Sequence, residues 1–288
     1  MSILVTGVNG QLGHDVIEEL NRRGIPAVGI DKDDLDITDS SAVHAYIRDL
    51  QPTAVIHCAA YTAVDKAETE PEECYKVNRD GTRYIAEACR DNDSSMLYIS
   101  TDYVFPGVGD IPFETDDETG PMNVYGASKL AGETAVKEIL TKYYIVRISW
   151  LFGTNGHNYV KTMLKLSQTR DSLTIVDDQV GSPTYSADLA VLLCDIITSE
   201  RYGTYHAHNE GECSWAEFSR EIFKLAGRDT SVIPICSEEY ETLAVRPKNS
   251  RLSLKSLDDA GFAHLPHWRD ALKRYLLIEI SEKDNMSQ

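Results

Sequence analysis

Tyr125 and Lys129 stand four residues apart in Tyr125-Gly126-Ala127-Ser128-Lys129, a spacing that puts a phenol and an ammonium on one face of an expected helix. A tyrosine titrates near ~10 when unperturbed, so at neutral pH it moves a proton readily only if a cation favours its phenolate. Lys129 can supply that cation. The pair reads as a proton donor and the group that tunes it; on an ordinary amphipathic helix it would be an exposed phenol and a solvated amine. Thr101 follows the apolar run Met96-Leu97-Tyr98-Ile99-Ser100. A hydroxyl there could orient a carbonyl opposite the Tyr125 phenol, although a lone threonine commonly does no more than end a strand.

A second constellation opens the chain. Ile3-Leu4-Val5-Thr6 is a short apolar run that feeds Gly7-Val8-Asn9-Gly10-Gln11-Leu12-Gly13, and a helical pattern follows over residues 14–23. Gly7 permits a tight turn, Gly10 lets the backbone approach a pyrophosphate, and Gly13 allows the helix to pack closely on the strand. Ala27-Val28-Gly29-Ile30 then ends in Asp31, eighteen residues past Gly13, where a carboxylate can accept the hydroxyls of an adenosine ribose. Asp31 disfavours a 2′-phosphate while Lys32 could neutralise one, so NADH and NADPH are both expected as cofactors. A dinucleotide beside Thr101, Tyr125 and Lys129 points to hydride transfer to a ketone. Tyr125 would protonate the oxygen, Thr101 would hydrogen-bond it, and Lys129 would lower the phenol pKa and reach the nicotinamide ribose.

Such residues need a scaffold that gathers strand ends. Residues 40–50 read as a helix, Ala54-Val55-Ile56-His57-Cys58-Ala59-Ala60 as a buried strand, and residues 71–91 as one long helix. Tyr144-Ile145-Val146-Arg147-Ile148-Ser149 is a further strand after the Tyr125 helix. This alternation defines an α/β fold, a doubly wound, mostly parallel Rossmann sheet whose ligands bind beyond the carboxyl ends of its strands. Residues 7–13, 59–62, 100–103 and 149–152 would meet there. Residues 1–152 are the expected dinucleotide-binding domain. Residues 153–280 read as mainly a smaller, mixed α/β substrate lobe, with some segments returning to the first domain. Its helices are expected at 158–168, 186–198, 214–226, 254–260 and 268–277, and residues 281–288 read as a disordered polar tail.

The 288 residues include 46 acidic and 28 basic ones, a formal charge of -18 that disfavours nucleic acid or an anionic membrane as partner. Backbone amides and a few placed cations must then hold an anionic ligand. Arg246, Lys248 and Arg251 cluster in a Pro-containing segment; they could grip a nucleotide diphosphate, or be solvated charges of a surface loop. No apolar run approaches the ~20 residues of a membrane span, and no basic-then-apolar leader precedes Ile3. Cys58, Cys74, Cys89, Cys194, Cys213 and Cys236 contain no C-x-x-C pair and several fall in apolar patterns. Reduced thiols in a cytoplasmic protein are expected, rather than a disulfide frame or a zinc site.

The glycine loop, Thr101 and the Tyr125–Lys129 pair resemble the extended short-chain dehydrogenase/reductase superfamily over most of the chain. Longer blocks are similar to one family within it, the dTDP-4-dehydrorhamnose reductases. They are Ala59-Ala60-Tyr61-Thr62-Ala63-Val64-Asp65-Lys66-Ala67-Glu68, Ser100-Thr101-Asp102-Tyr103-Val104-Phe105 and Asn123-Val124-Tyr125-Gly126. Three more are Arg147-Ile148-Ser149-Trp150, Asp178-Gln179-Val180-Gly181-Ser182-Pro183-Thr184 and Arg246-Pro247-Lys248-Asn249-Ser250-Arg251-Leu252. The resemblance implies NADPH- or NADH-dependent reduction of the C4 ketone of dTDP-4-dehydrorhamnose to dTDP-L-rhamnose, Tyr125 being the proton donor. It implies that Gly7, Asn9, Gly10, Gln11, Leu12, Gly13, Asp31, Ala59, Ala60, Thr62, Tyr125 and Lys129 line the dinucleotide, with Asp36 and Ile37 flanking the adenine. On the substrate side it implies Val64, Thr101, Asp102, Tyr103, Tyr125, Asn249 and Arg251, with the Trp150 indole packed on the apolar side of the sugar. Asn78 is expected to support the site through its amide. Some members join subunits through a metal held by glutamates. Here Asp15 stands at one such position and the other ligands find no match, so no metal is expected and a homodimer stays open.

Three rival readings stand beside this one. A dehydratase or epimerase shares the fold and the Tyr–Lys pair, but dehydratases place an Asp-Glu pair after the threonine, and here Asp102 is followed by Tyr103. A non-catalytic regulatory subunit, like the β subunit of methionine adenosyltransferase, resembles these reductases closely. A reductase of another nucleotide-4-ketosugar would carry the same motifs.

Overall fold

Each run expected as a strand in the first half pairs in one sheet. The computed structural model describes residues 2–286. In it β1 (Ile3–Thr6), β2 (Ala27–Ile30), β3 (Ala54–His57), β4 (Ser95–Thr101) and β5 (Tyr143–Ile148) are all parallel, in the order β2-β1-β3-β4-β5. The strand Gly203–His206 adds a sixth parallel member beside β5. β1 and β3 are buried at every position, as a sheet covered by helices on both faces requires.

The covering helices of the first half are α1 (Gln11–Arg22), α2 (Ser40–Leu50), α3 (Val64–Ala67), α4 (Pro71–Tyr75), α5 (Thr82–Asp91) and α6 (Val124–Ile139). Alternation along each strand assigns them to faces. Ile3, Val5, Ile56, Leu97 and Val146 pack with α1 and with the returning helix Ser186–Ile197. Leu4, Val55, Met96, Tyr98 and Ile145 pack with α2, α5 and α6. A separate buried cluster forms around Phe152, Tyr185, Phe218, Trp268 and Tyr275. It joins the helices Tyr159–Leu166, Trp215–Leu225 and Trp268–Met286, with Ser172–Val176 paired to Ser231–Ile235.

Two elements depart from the pattern read in the sequence. Residues 71–91 are not one α-helix, because Lys76–Gly81 widens into a π turn between α4 and α5. The final helix does not stop at residue 277 but runs Trp268–Met286, through most of the segment expected as a tail. No glycine or proline interrupts that stretch, so the backbone has no local signal to end the helix. Residues 287 and 288 lie outside the described residues.

Candidate active site

The four strand ends meet at one cavity of about 1320 Å³. At β1 the chain turns through Gly7, whose φ is 74°, and Gly10 caps α1 without a side-chain hydrogen bond, which leaves the first amides of the helix directed outward. A Cβ on Gly13 would lie 2.2 Å from the Gly7 carbonyl oxygen, so only glycine lets α1 start this close to the turn. The Asp31 carboxylate crosses to this loop, accepting the Asn9 and Lys32 amides at 2.9 and 2.8 Å. Open helix-terminal amides and a facing carboxylate on one wall fit the pyrophosphate and ribose of a dinucleotide. Gly7, Asn9, Gly10, Gln11, Leu12, Gly13, Asp31, Asp36, Ile37, Ala59, Ala60 and Thr62 all line the cavity.

Thr101, Asp102, Tyr103, Tyr125, Lys129 and Trp150 line the same cavity. Asn123 caps α6 by accepting the Gly126 amide at 2.8 Å, and a Cβ on Gly126 would sit 2.2 Å from the Tyr103 carbonyl oxygen. The glycine between Tyr125 and Ala127 therefore lets α6 press against the turn that ends β4. That contact brings the Tyr103 and Tyr125 rings edge to face at 5.8 Å. Burial pushes the Tyr125 phenol pKa up, the Asp102 charge pushes it further, and the Thr101 hydroxyl, within hydrogen-bonding reach, opposes both.

Lys129 is not set against a carboxylate. It is 3% exposed, with Nζ 4.1 Å from the Tyr98 ring centroid. Burial lowers its pKa to about 7, and the Glu133 charge one turn on only partly opposes this. Glu133 is itself engaged by Arg147 through two 2.8 Å hydrogen bonds and by the Ser100 hydroxyl at 2.6 Å. The expectation that Lys129 lowers the phenol pKa is not met: burial and the Asp102 charge raise it, and Lys129 is not among the groups that act on it.

The π turn explains Asn78. Its side chain is buried; Oδ1 accepts the Tyr61 amide at 2.8 Å, and Nδ2 donates to the Tyr61 carbonyl at 3.0 Å and to Ser128 at 2.9 Å. One amide thus fastens the segment after β3 to the helix that carries Tyr125 and Lys129. Thr82 donates to the Asn78 carbonyl at 2.8 Å, holding the widened turn.

Three expected substrate contacts lie off this cavity. Asn249 is buried and clamps the loop before α6, donating to Ile111 and Val108 carbonyls. Arg251 bonds Glu212 at 2.7 Å and Asn249 at 3.0 Å, and Val64 begins α3 just past the lining residue Ala63. The cation cluster is likewise matched to carboxylates, Arg246 to Asp65 and Lys248 to Asp178 and Glu238. Asp15 accepts the Ser186 hydroxyl, and among the described residues no group of three or more His, Cys, Asp or Glu is placed to hold a metal. All six cysteines are free thiols, and no helix among the described residues is long and apolar enough to cross a membrane.

Residues after β5 that the sequence did not single out also reach the cavity and its glycine loop. Asn155 donates to the Asn9 and Gly10 carbonyls, and Asn158 donates to the Gln11 side chain, so this segment closes over the glycine loop. Trp215 also lines the cavity and stacks on Trp150 at 3.7 Å, so one face of the indole expected to meet a sugar is already covered. An Asn-x-x-Asn pair after β5 and a tryptophan at a helix start carry no local signature of a site.

A Rossmann sheet that brings a glycine turn and a Thr–Tyr–Lys set to one cavity defines a nicotinamide-dependent oxidoreductase of the extended short-chain dehydrogenase/reductase class. Comparison with known proteins narrows that class. The chain belongs to the dTDP-4-dehydrorhamnose reductase family: residues 1–279 match the profile of the RmlD substrate binding domain. It is 44% identical to a dTDP-4-dehydrorhamnose reductase of Streptomyces griseus over 276 residues, 93% of this chain and 91% of that one. A solved dTDP-4-dehydrorhamnose reductase from Bacillus anthracis, in complex with NADP, superposes with a TM-score of 0.93 at 44% identity, covering 96% and 98% of the two chains. A dTDP-4-keto-6-deoxy-D-glucose reductase of Streptomyces niveus is 37% identical over 93% of this chain and 94% of its own.

Proposed function

We propose that this protein reduces the C4 ketone of dTDP-4-dehydrorhamnose to dTDP-L-rhamnose with NADPH or NADH. The observation that carries the reading is the convergence of Thr101 and Tyr125 with the glycine turn on one cavity. Bound there, a reduced nicotinamide would supply the hydride. The α1 amides and the Gly7–Gly13 turn hold the pyrophosphate, and Asp31 receives the adenosine ribose. Tyr125 gives its proton to the oxygen of the ketone as that oxygen gains charge, and Thr101 hydrogen-bonds the same atom. The phenol's raised pKa keeps the proton in place until the substrate oxygen becomes basic enough to take it. Lys129 completes the wall beside the nicotinamide ribose, and the edge and free face of Trp150 offer an apolar surface to the deoxysugar. The free thiols fit a cytoplasmic location.

The Streptomyces niveus relative favours a second reading, reduction of a 4-ketosugar that has not been epimerised. One assay separates the two: NADH or NADPH absorbance is followed with dTDP-4-keto-6-deoxyglucose, with and without its 3,5-epimerase. Oxidation that requires the epimerase and yields dTDP-L-rhamnose supports the first reading, and oxidation without it supports the second. Tight dinucleotide binding with no turnover of either sugar would turn the assignment to a regulatory subunit. Because Lys32 stands beside Asp31, the catalytic efficiencies with NADH and NADPH should lie within about a hundredfold, roughly 2.7 kcal/mol.

A further inference from the structure

His57 ends β3, is buried, and has no part in the steps above. It stands opposite Thr6 on the last rung of the β1–β3 ladder. Beyond that rung the strands open into two walls of the cavity, one starting at Gly7 and the other at Cys58 and Ala59. The walls are in contact, because a Cβ on Gly7 would lie 2.7 Å from the Ala59 nitrogen. Thr6 Oγ1 is 2.7 Å from His57 Nδ1, and the Ala59 amide donates to the same oxygen at 3.2 Å. Across the ring, Nε2 is 3.2 Å from the Thr82 hydroxyl, whose one proton goes to the Asn78 carbonyl at 2.8 Å. Thr82 is therefore the acceptor from the ring, and this fixes the tautomer. Nε2 carries the hydrogen, bare Nδ1 accepts the Thr6 hydroxyl, and Thr6 keeps a lone pair for the Ala59 amide. Every donor in this buried row thus meets an acceptor, from the π turn to the edge of the cavity. Burial lowers the His57 pKa to about 3, so the ring is neutral and the bonds keep their direction. Tyr98, whose ring faces the Lys129 ammonium, stacks on the imidazole at 5.7 Å.

We propose that His57 is a positioning residue for the nicotinamide dinucleotide: through Thr6 it sets the spacing of the glycine turn and the segment after β3, and through Thr82 it ties both to the π turn. The proposal rests on dinucleotide binding in this cavity and not on the identity of the sugar. A site made of backbone amides binds an anion tightly only when those amides are already aimed, since ordering them on binding costs affinity. The β1–β3 ladder stops at Thr6 and His57, so side-chain bonds must carry its spacing on to Gly7 and Ala59. The Thr6 end of the row acts on the dinucleotide walls. The Thr82 end acts on the π turn whose Asn78 holds Tyr61.

Two substitutions separate the ends of the row. His57→Asn keeps an acceptor where Nδ1 stood and so keeps the bond from Thr6, whereas His57→Gln keeps a donor where Nε2 stood and loses that bond. In fluorescence titrations with NADH and NADPH, His57→Gln should raise the dinucleotide Kd at least roughly tenfold and His57→Asn by less than about threefold. With saturating cofactor, kcat should stay within about threefold in both, because neither touches the reacting atoms. Equal losses of affinity in the two variants, or no loss in either, would overturn the proposal, since a ring that only fills space is missed alike by both amides. Should the histidine variants fail to fold, Thr6→Val keeps the shape of the strand and removes the hydroxyl between His57 and Ala59. It should raise the same Kd at least roughly tenfold, and an unchanged Kd overturns the proposal. In wild-type protein carrying 15N-histidine, the His57 ring should show hydrogen on Nε2 and a bare Nδ1 at neutral pH; hydrogen on Nδ1 would break the row and overturn it. Wild-type protein that binds neither dinucleotide would instead sink the reading of the cavity, and the role of His57 with it.

Discussion

Tyr125 meets two opposed demands. Its pKa is raised by burial and by Asp102, which holds the proton, and its position beside Thr101 aims that proton into the cavity. Removing the hydroxyl takes away the donor and little binding surface. Tyr125→Phe should lower kcat by roughly a thousandfold or more and change dinucleotide affinity by less than about threefold, read from steady-state rates and a binding titration. Wild-type-like turnover in that variant would sink the mechanism. Lys129 behaves differently, because its pKa falls to about 7 when the chain folds around it. Above that value the folded protein has released a proton that the unfolded chain still binds up to about 10.5, so this residue makes stability rise with pH across the interval. Near neutral pH the site therefore carries a cation at some cost to the fold. Lys129→Met should stabilise the ligand-free protein by about 1–3 kcal/mol and so raise its melting temperature, while suppressing turnover. A lower melting temperature would show that the ammonium stabilises the fold.

At the scale of elements, the π turn Lys76–Gly81 exists to turn Asn78 inward. A regular helix would have to find another group to pair the Tyr61 amide and carbonyl. Asn78→Leu strands both backbone groups and the Ser128 contact, and should destabilise the protein by about 1–3 kcal/mol in urea denaturation. Because Tyr61 sits between the lining residues Ala60 and Thr62, the same change should raise the dinucleotide Kd; an unchanged Kd would mean that the segment after β3 is held without it. The residue type at position 78 was a weak hint of this support. The widened helix around it could not be read locally, since an asparagine within a helical pattern ordinarily faces water.

A buried ion pair ties β5 to α6. Arg147 from β5 and Glu133 from α6 are 2% and 0% exposed, and the guanidinium also donates to the Thr115 carbonyl at 3.0 Å. Burial alone would raise the Glu133 pKa, but the Arg147 hydrogen bonds and charge hold it below the usual range. Glu133→Gln leaves the arginine charge buried without its partner and should cost about 3–5 kcal/mol of stability, measured by chemical denaturation. A loss under about 1 kcal/mol would show that the Thr115 and neighbouring contacts already satisfy Arg147.

The sequence by itself determined what depends on short-range periodicity. Strands such as Ala54–His57 are apolar at every position because both faces are covered. Gly7, Gly10 and Gly13 occur where the backbone must turn and approach, and Tyr125 and Lys129 share a face because a helix repeats every ~3.6 residues. Tertiary structure decided what depends on which remote groups come close. Arg246, which in sequence could grip a diphosphate or be a solvated charge, pairs with Asp65, Trp215 covers a face of Trp150, and Asn155 and Asn158 close over the glycine loop. Burial and the nearby Asp102 raise the Tyr125 pKa, and Glu133, one turn beyond Lys129, is engaged by Arg147. Electrostatic influence follows distance and desolvation in space, and neither is written in the spacing of residues along the chain.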